Sequence, residues 1–255
     1  MLPKPSLIGM IHVPALPGSP AYAGNINEIV ETVGEEAALF AKVGFDAIII
    51  ENMHDTPYLK GGVGPETTAA MTAAAIEVRK HFRGPCGIQI LAAANREALA
   101  VALTAKLDFI RAEGFVFAHV ADEGIIQAQA GELLRYRKAI GAEHIQVWTD
   151  IKKKHSAHAI TADVDLAETA HAAEFFRADG LIITGNATGH AADPADLAAL
   201  RDSTGLPLYI GSGITPDNVA DYAAANGFIV GSSLKVAGHW ANVLDEGRMR
   251  KMREA

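Results

Sequence analysis

Cysteine is nearly absent from this sequence, because Cys86 is the single cysteine among 255 residues. One thiol cannot form an internal disulfide, and such cysteine usage is typical of a reducing compartment. Long apolar runs are missing as well, so no segment is expected to insert into a membrane. The first residues also lack the charged start and long apolar core of a signal peptide. We therefore expect a soluble, cytoplasmic protein.

Basic residues are scarce relative to acidic ones. Lys and Arg number 22 against 30 Asp and Glu, which gives a formal net charge of −8. Nucleic acids recruit clusters of Lys and Arg through their phosphates, so a nucleic-acid partner is not expected. A small anion needs only a local positive site, and it stays compatible with this charge.

Several motifs of cofactor and hydrolase chemistry are missing. The sequence has no GxGxxG run at the start of the first helix, no Gly-x-Ser-x-Gly elbow and no P-loop, which argues against dinucleotide, serine-hydrolase and P-loop chemistry. His12, Glu51 and Asp150 have the chemistry of metal ligands, but no HxH or HExxH spacing supports a metal site. We therefore expect neither a cofactor nor a metal.

Short apolar, β-branched runs alternate with alanine-rich helical runs about eight times, with no break in composition. This alternation indicates the α/β class and a closed (β/α)8 TIM barrel that forms a single domain over residues 1–255. An open doubly wound sheet is the alternative, because its local pattern is similar. The predicted strands are Leu7–Val13, Ala47–Asn52, Cys86–Leu91, Phe109–Glu113, Ile145–Ile151, Leu181–Gly185, Leu208–Gly211 and Phe228–Gly231. The predicted helices are Ile26–Val43, Glu66–Phe82, Arg96–Ala105, Gln127–Ile140, Val164–Arg177, Pro194–Asp202, Pro216–Ala225 and Asn242–Arg253.

Glycine clusters follow the last two predicted strands. Gly211-Ser212-Gly213 comes after the seventh strand and Gly231-Ser232 after the eighth. Glycines there let backbone N–H groups approach an anion, and the helix predicted from residue 216 would add the positive end of its dipole. Because the loops after strands 7 and 8 are the usual phosphate site of such barrels, we expect a small phosphorylated ligand there. The alternative is that these glycines only form tight turns.

Polar side chains recur at alternate positions near the ends of the first five predicted strands. Alternation places them on the face that points into the barrel. Since buried charges need partners, their convergence at the mouth indicates either an active site or a mutually satisfied structural network. The residues predicted to surround this cavity are His12, Glu51, Gln89, Arg111, Glu113, Asp150 and Lys152.

Roles follow from the chemistry of these side chains. Glu51 and Asp150 are the candidates for a general acid or base. Arg111 and Lys154 are the candidates for stabilising developing negative charge. These four residues are therefore candidates for catalysis.

A basic run, Lys152–His155, follows the fifth predicted strand. Taken alone, such a run is usually a solvated loop. At the end of a barrel strand, Lys152 or Lys154 could form a Schiff base if it were buried. Lys154 and His155 could also contact an anionic substrate or transfer a proton.

Short segments spread over almost the whole chain match the pattern of one known family. They are Ile8–Ser19, Ile49–Asn52, Asp55–Pro57, Phe109–Glu113, Asp122–Ile126, Leu134–Arg137, Lys154–His155, Thr184–Gly185, Thr188–Gly189, Gly211–Pro216 and Val230–Lys235. On these segments the sequence resembles the BtpA/SgcQ family. The resemblance implies a relative of the phosphate-binding barrels, and it adds Asn52, Thr184 and Gly185 as ligand-binding candidates. One branch is named for photosystem I biogenesis and another for a proposed sugar-phosphate operon, so the resemblance implies no single reaction.

The run after the third predicted strand departs from this resemblance. The family pattern there is similar to Asn-Val-Leu-Arg-Asn-Asp, whereas this chain has Gln89-Ile-Leu-Ala-Ala-Ala94. Because a polar cluster is lost, the substrate or activity is expected to differ from the family's usual one.

Two functions remain open from the sequence. We expect an enzyme that acts on a small phosphorylated sugar or related metabolite, of isomerase, aldolase or hydrolase type, and that forms a homo-oligomer. The alternative, which the photosystem-linked family name implies, is a non-catalytic assembly or stability factor.

Overall fold

A closed barrel of eight parallel strands forms the centre of the computed structural model, which describes residues 2–153, 155–185 and 191–255. The strands of these ranges are β1 (Ser6–His12), β2 (Ala47–Glu51), β3 (Cys86–Gln89), β4 (Phe109–Ala112), β5 (His119–Ala121), β6 (Gly124–Ile126), β7 (Gln146–Ile151), β8 (Ser156–Ala157), β9 (Gly180–Ile183), β10 (Leu208–Ile210) and β11 (Gly227–Val230). Around the barrel the order is β1-β2-β3-β4-β7-β9-β10-β11, with β11 pairing back onto β1. The predicted TIM barrel is confirmed, and the open sheet is wrong.

The helices of the described ranges pack their apolar faces onto the outside of the barrel. They are α1 (Ile26–Val43), α2 (Pro65–His81), α3 (Asn95–Thr104), α4 (Ala130–Ala139), α5 (Leu166–Phe175), α6 (Pro194–Ser203) and α7 (Glu246–Glu254). Asn25 caps α1 by accepting hydrogen bonds from the N–H groups of Asn27 and Glu28, which satisfies donors that a helix start leaves free. Within these ranges, no helix has the length and apolar character that crossing a membrane requires.

Stacked aromatic rings fill the barrel interior below its mouth. Trp148 on β7 stacks between Phe109 on β4 and Tyr209 on β10, with ring centroids 3.8 Å and 4.1 Å apart. Ile8, Ile49 and other buried side chains complete this inner cluster. Because the stack occupies the lumen, the barrel is a packed core with a floor on which the polar residues of the mouth rest.

A small antiparallel sheet, β6-β5-β8, was not predicted. Its β5–β6 hairpin turns at Asp122 and Glu123, and Gly124 follows at φ 105°, a conformation that favours glycine. The predicted helix from Gln127 therefore begins only at Ala130. The hairpin lies between β4 and α4 in the chain, where an extra loop of a barrel reaches its C-terminal face.

Two predicted helices near the C-terminus are also wrong in extent. Between β10 and β11 the chain forms a short 3-10 helix, Val219–Tyr222, in place of the helix predicted from residue 216. The Asn218 side chain folds back, accepting from the N–H of Thr215 and donating to the carbonyl of Gly213. Such local hydrogen bonds compete with a helix. The last helix begins at residue 246, four residues later than predicted, because Asp245 caps it.

Candidate functional site

A cavity of about 420 Å³ opens at the C-terminal ends of the barrel strands. This is the face on which TIM-barrel sites are built. The cavity is lined by these sequence-predicted residues: His12, Glu51, Gln89, Arg111, Glu113, Asp150, His155, Gly211, Ser212, Gly213, Gly231 and Ser232. The structure therefore brings the polar strand-end residues and the two glycine turns into one space.

Strand register builds one polar wall of the cavity. His12 lies beside Glu51, and Glu51 lies beside Gln89, on β1, β2 and β3. The three side chains are buried and face the lumen together. His12 Nδ1 donates to the carbonyl of Trp240 at 3.1 Å, because a carbonyl only accepts. His12 Nε2 then lies 3.8 Å from Glu51 Oε2, so the two groups are close enough to exchange a proton after a small movement.

A bidentate ion pair joins the next two strands. Arg111 Nε donates to Asp150 Oδ2 at 2.8 Å, and Arg111 Nη2 donates to Asp150 Oδ1 at 2.7 Å. Both residues are buried. Burial works to lower the pKa of the Arg111 guanidinium, but the charge and hydrogen bonds of Asp150, with Glu51 and Glu113 nearby, raise it overall. The guanidinium is therefore a permanent cation fixed at the bottom of the cavity.

A second ion pair stands above the first. Lys153 Nζ donates to Glu113 Oε1 at 3.0 Å, and the N–H of Ala93 donates to Glu113 Oε2 at 3.1 Å. Asn95 holds the backbone of Glu113 by accepting from its N–H and donating to its carbonyl. Both charged side chains are largely buried and both line the cavity.

The residues that follow β7 do not all lie where the sequence analysis predicted. Lys152 was predicted to face the cavity, but its backbone turns at φ 43° after the strand ends, so the alternation of sides stops there. Its Nζ instead donates to the carbonyl of Thr161 at 3.2 Å, outside the cavity. Lys153 takes the position at the cavity, and His155 lines it as well. Lys154 lies outside the described residues.

The glycine turns form a second wall, which we call the anion wall: Gly211–Thr215 and Gly231–Ser233. At Gly211 a Cβ would lie 2.5 Å from Ile182 Cγ2, and Gly213 has φ 69°, so both positions favour glycine. The predicted helix dipole is missing here. Its place is taken by Arg248, which comes from α7, lines the cavity and donates through Nε to the carbonyl of Ser233 at 2.9 Å.

Three predicted ligand-binding residues support the walls and do not line the cavity. Asn52 is fully buried, and its side chain accepts from the N–H of Leu91 at 2.8 Å while donating to Asp55 at 3.2 Å. The N–H of Gly185 donates to Ser212 Oγ at 3.3 Å. Thr184 places its methyl group near Gly211. Their role here is to hold the strand ends in position.

Several cavity residues were missed by the sequence analysis, namely Tyr58, Asp122, Glu123, Lys153, Trp240 and Arg248. Burial, followed by the charges of Glu51, Glu123, Glu113 and Asp55, raises the pKa of the Tyr58 hydroxyl. Trp240 and Arg248 come from a segment after the last strand, where the alternation of side chains along a strand makes no prediction. Lys153 could have been found, since it adjoins a predicted residue. Among the described residues, no group of three His, Cys, Asp or Glu is arranged to hold a metal ion.

A second, smaller pocket of about 30 Å³ lies behind Asp150. Its His119 side chain is buried, and Nε2 has no hydrogen-bond partner among the described residues. Burial, then the charges of Lys153 and His158, lower the pKa of His119 to about 4 against the opposing charge of Asp150. His119 is therefore neutral at pH 7.

Replacing Asp150 with Asn leaves the buried Arg111 guanidinium without its carboxylate. Removing one partner of a buried ion pair costs about 3 kcal/mol or more, so we expect the free energy of unfolding to fall by about that amount in urea at pH 7. Glu143→Gln breaks the exposed Lys138–Glu143 pair and is the control, expected to stay within measurement error. Unchanged stability of Asp150→Asn would contradict the importance of the pair.

His119 predicts a loss of stability in mild acid. Its folded-state pKa lies below the ordinary value of about 6.5, so the unfolded chain binds more protons between that value and about 4. Stability should therefore fall as the pH is lowered from 7 to 5. His119→Leu should reduce this fall in urea titrations at the two pH values. Exposed His171→Leu is the control, and it should keep the fall of the parent. Equal pH dependence of His119→Leu and the parent would disprove this assignment.

Solved structures share the architecture at low sequence identity. A tryptophan synthase α-subunit of Pyrococcus furiosus has a TM-score of 0.64 at 16% identity, covering 100% of this chain and 98% of that one. An orotidine 5′-monophosphate decarboxylase of Methanocaldococcus jannaschii has a TM-score of 0.56 at 14% identity, covering 99% and 98%. At these identities the likeness concerns the barrel fold alone.

Sequence relatives cover nearly the whole chain. An uncharacterised mitochondrial protein of Caenorhabditis elegans is 51% identical over 253 residues, 97% of this chain and 91% of that protein. The photosystem I biogenesis protein BtpA of a Synechocystis strain is 35% identical over 251 residues, 98% of this chain and 87% of that protein. The model of the BtpA family matches residues 3–255. On this match and these relatives, the chain belongs to the BtpA family.

Proposed function

We propose that this chain is a single-domain barrel enzyme, over residues 1–255, that binds a small phosphorylated sugar or related metabolite and transfers a proton on it. The observation that carries the proposal is the shared cavity, in which an anion wall faces buried acids and bases. Acidic and basic side chains that converge in a cavity at the mouth of a barrel are typical of a site rather than of packing.

The residues of the anion wall favour the binding of a phosphate at the ends of β10 and β11. Gly211, Gly213 and Gly231 line the cavity, and backbone N–H groups of glycine-rich turns are well suited to bind an anion. Ser232 and Arg248 line the same wall, and a guanidinium is well suited to phosphate because it offers several donors in one plane. Binding of a phosphate by these groups does not require the dipole of a helix.

The polar side chains at the ends of β1 and β2, beside the anion wall, favour proton transfer. Glu51 and His12, with 3.8 Å between Oε2 and Nε2, are the proposed acid–base pair. Arg111 would stabilise negative charge that develops on a ligand oxygen. Asp150 differs from the sequence-based hypothesis, since both of its oxygens accept from Arg111 and it acts by positioning that cation. Isomerisation, aldol cleavage and hydrolysis all need such a proton transfer.

Assembly or stabilisation of another protein is the second candidate function. The Synechocystis relative is named for photosystem I biogenesis. Phe175 at the end of α5 is 83% exposed and packs edge-on against Phe176, which is also exposed. Such a pair of exposed rings favours contact with a protein. A turnover assay distinguishes the two candidate functions, because only the enzymatic function predicts that the ligand is converted to a product.

The compartment and the assembly state belong to the same proposal. We propose a cytoplasmic site of action on the basis of the single cysteine, although the Caenorhabditis relative carries a mitochondrial name. We also propose that the protein forms a homo-oligomer, in which the exposed Phe175 and Phe176 side chains would contact another copy of the chain.

Arg248→Ala tests the phosphate site. Loss of a charge-assisted contact should weaken binding of inorganic phosphate by about tenfold or more in calorimetric titration. Arg250→Ala is the matched control, because Arg250 lies on the same helix and pairs with Glu246 outside the cavity. Equal weakening in both variants, or in neither, would contradict the assignment.

Glu51→Gln tests the chemistry. The parent and the variant are incubated with a panel of pentose and hexose phosphates and followed by proton and phosphorus NMR. Loss of a general acid or base should slow turnover by on the order of a hundredfold. Turnover that Glu51→Gln leaves unchanged would contradict the assignment, and a parent that converts nothing in the panel would favour the assembly function.

A further inference from the structure

The wall opposite the anion wall carries a hydrogen-bond acceptor for which the described part of the chain offers no donor. In the barrel order, β3 stands across from β10, so Gln89 lies across the cavity from Gly211. Gln89 is 2% exposed, and its Oε1 has no hydrogen-bond partner among the described residues. An unpaired buried acceptor is costly, and native proteins keep few of them. A ligand in the cavity that donates a hydrogen bond would remove this cost.

The charges around Gln89 are predominantly negative in the described part of the chain. Its strand neighbour is Glu51, and Glu123 reaches the cavity from the β5–β6 turn. Arg111 and Lys153 each pair with one carboxylate, that of Asp150 and that of Glu113, so the acidic side chains around Gln89 outnumber the basic ones among the described residues. This excess of carboxylates is why the pKa of Tyr58 is raised by neighbouring charge as well as by burial. A ligand group bound here should therefore donate a hydrogen bond and carry no negative charge, because like charges placed close together repel.

We propose that Gln89 is a specificity-determining residue that accepts a hydrogen bond from a ligand hydroxyl at the end remote from the phosphate. The ligand is then a phosphate ester of a neutral, polyhydroxylated carbon chain, and phosphorylated carboxylic acids are excluded. This inference rests on the proposed function, which assigns the phosphate to the anion wall. Binding sites built to pair with a ligand hydroxyl reject analogues that lack it, because the protein group is then left unpaired.

Calorimetric titration with three probes tests the proposal. Inorganic phosphate reports the anion wall alone, ribose 5-phosphate adds neutral hydroxyls, and 3-phosphoglycerate adds a carboxylate. We expect the parent to bind ribose 5-phosphate about tenfold more tightly than phosphate and 3-phosphoglycerate no more tightly than phosphate. Gln89→Met keeps the side-chain length and removes the acceptor, so it should abolish the gain for ribose 5-phosphate.

Thermal unfolding without ligand separates this role from a structural one. Gln89→Met removes an unpaired polar group and should raise the Tm, by about 2 °C. Gln129→Met is the matched control, because Gln129 Oε1 accepts from Asn95 Nδ2 at 3.1 Å outside the cavity lining, so its Tm should fall.

The outcomes distinguish the two claims. Tight binding of 3-phosphoglycerate, an undiminished gain for ribose 5-phosphate in Gln89→Met, or a lower Tm of that variant would overturn the role of Gln89. A parent that binds none of the three probes would overturn the proposed function instead, whatever the Tm values show.

Discussion

The ion pair between Arg111 and Asp150 is the interaction on which the organisation of the cavity depends. It joins β4 to β7 with two hydrogen bonds between buried charges, and each charge would be strongly unfavourable there without the other. The aromatic stack of Phe109, Trp148 and Tyr209 belongs to the buried apolar cluster that fills the lumen below the pair. Apolar surroundings strengthen the attraction between two buried charges, so packing and electrostatics stabilise the same arrangement.

A second buried ion pair, between Lys153 and Glu113, also lines the mouth of the barrel. Asp150 is paired with Arg111 and Glu113 with Lys153, and Glu51 lies between His12 and Gln89 in the strand register. The cavity is thus divided into an anion wall, with Arg248 as its cation, and a wall rich in acids and hydrogen-bond acceptors. Such a division matches a ligand with one charged end and one neutral, hydroxylated end, which is the class that we propose.

Local pattern was enough to predict the barrel and the polar wall, because both follow from the alternation of sides along a strand. Arg111 and Asp150 line the cavity for this reason. The alternation fails where a backbone turns, so Lys152 at φ 43° points elsewhere and Lys153 takes the cavity position. The helix expected from residue 216 fails because the Asn218 side chain satisfies the backbone locally. Arg248 could not be predicted, because α7 contributes it from a segment after the last strand and only the closed barrel brings it to the anion wall.

A crystal structure of the protein grown with saturating ribose 5-phosphate would show where the phosphate and the sugar hydroxyls bind. We expect density for the phosphate within hydrogen-bond distance of the Gly213 and Ser232 N–H groups and of the Arg248 guanidinium, with the sugar hydroxyls directed across the cavity at Gln89 and Glu51. Phosphate density bound elsewhere in the barrel, or a cavity that holds only water at saturating ligand, would contradict it.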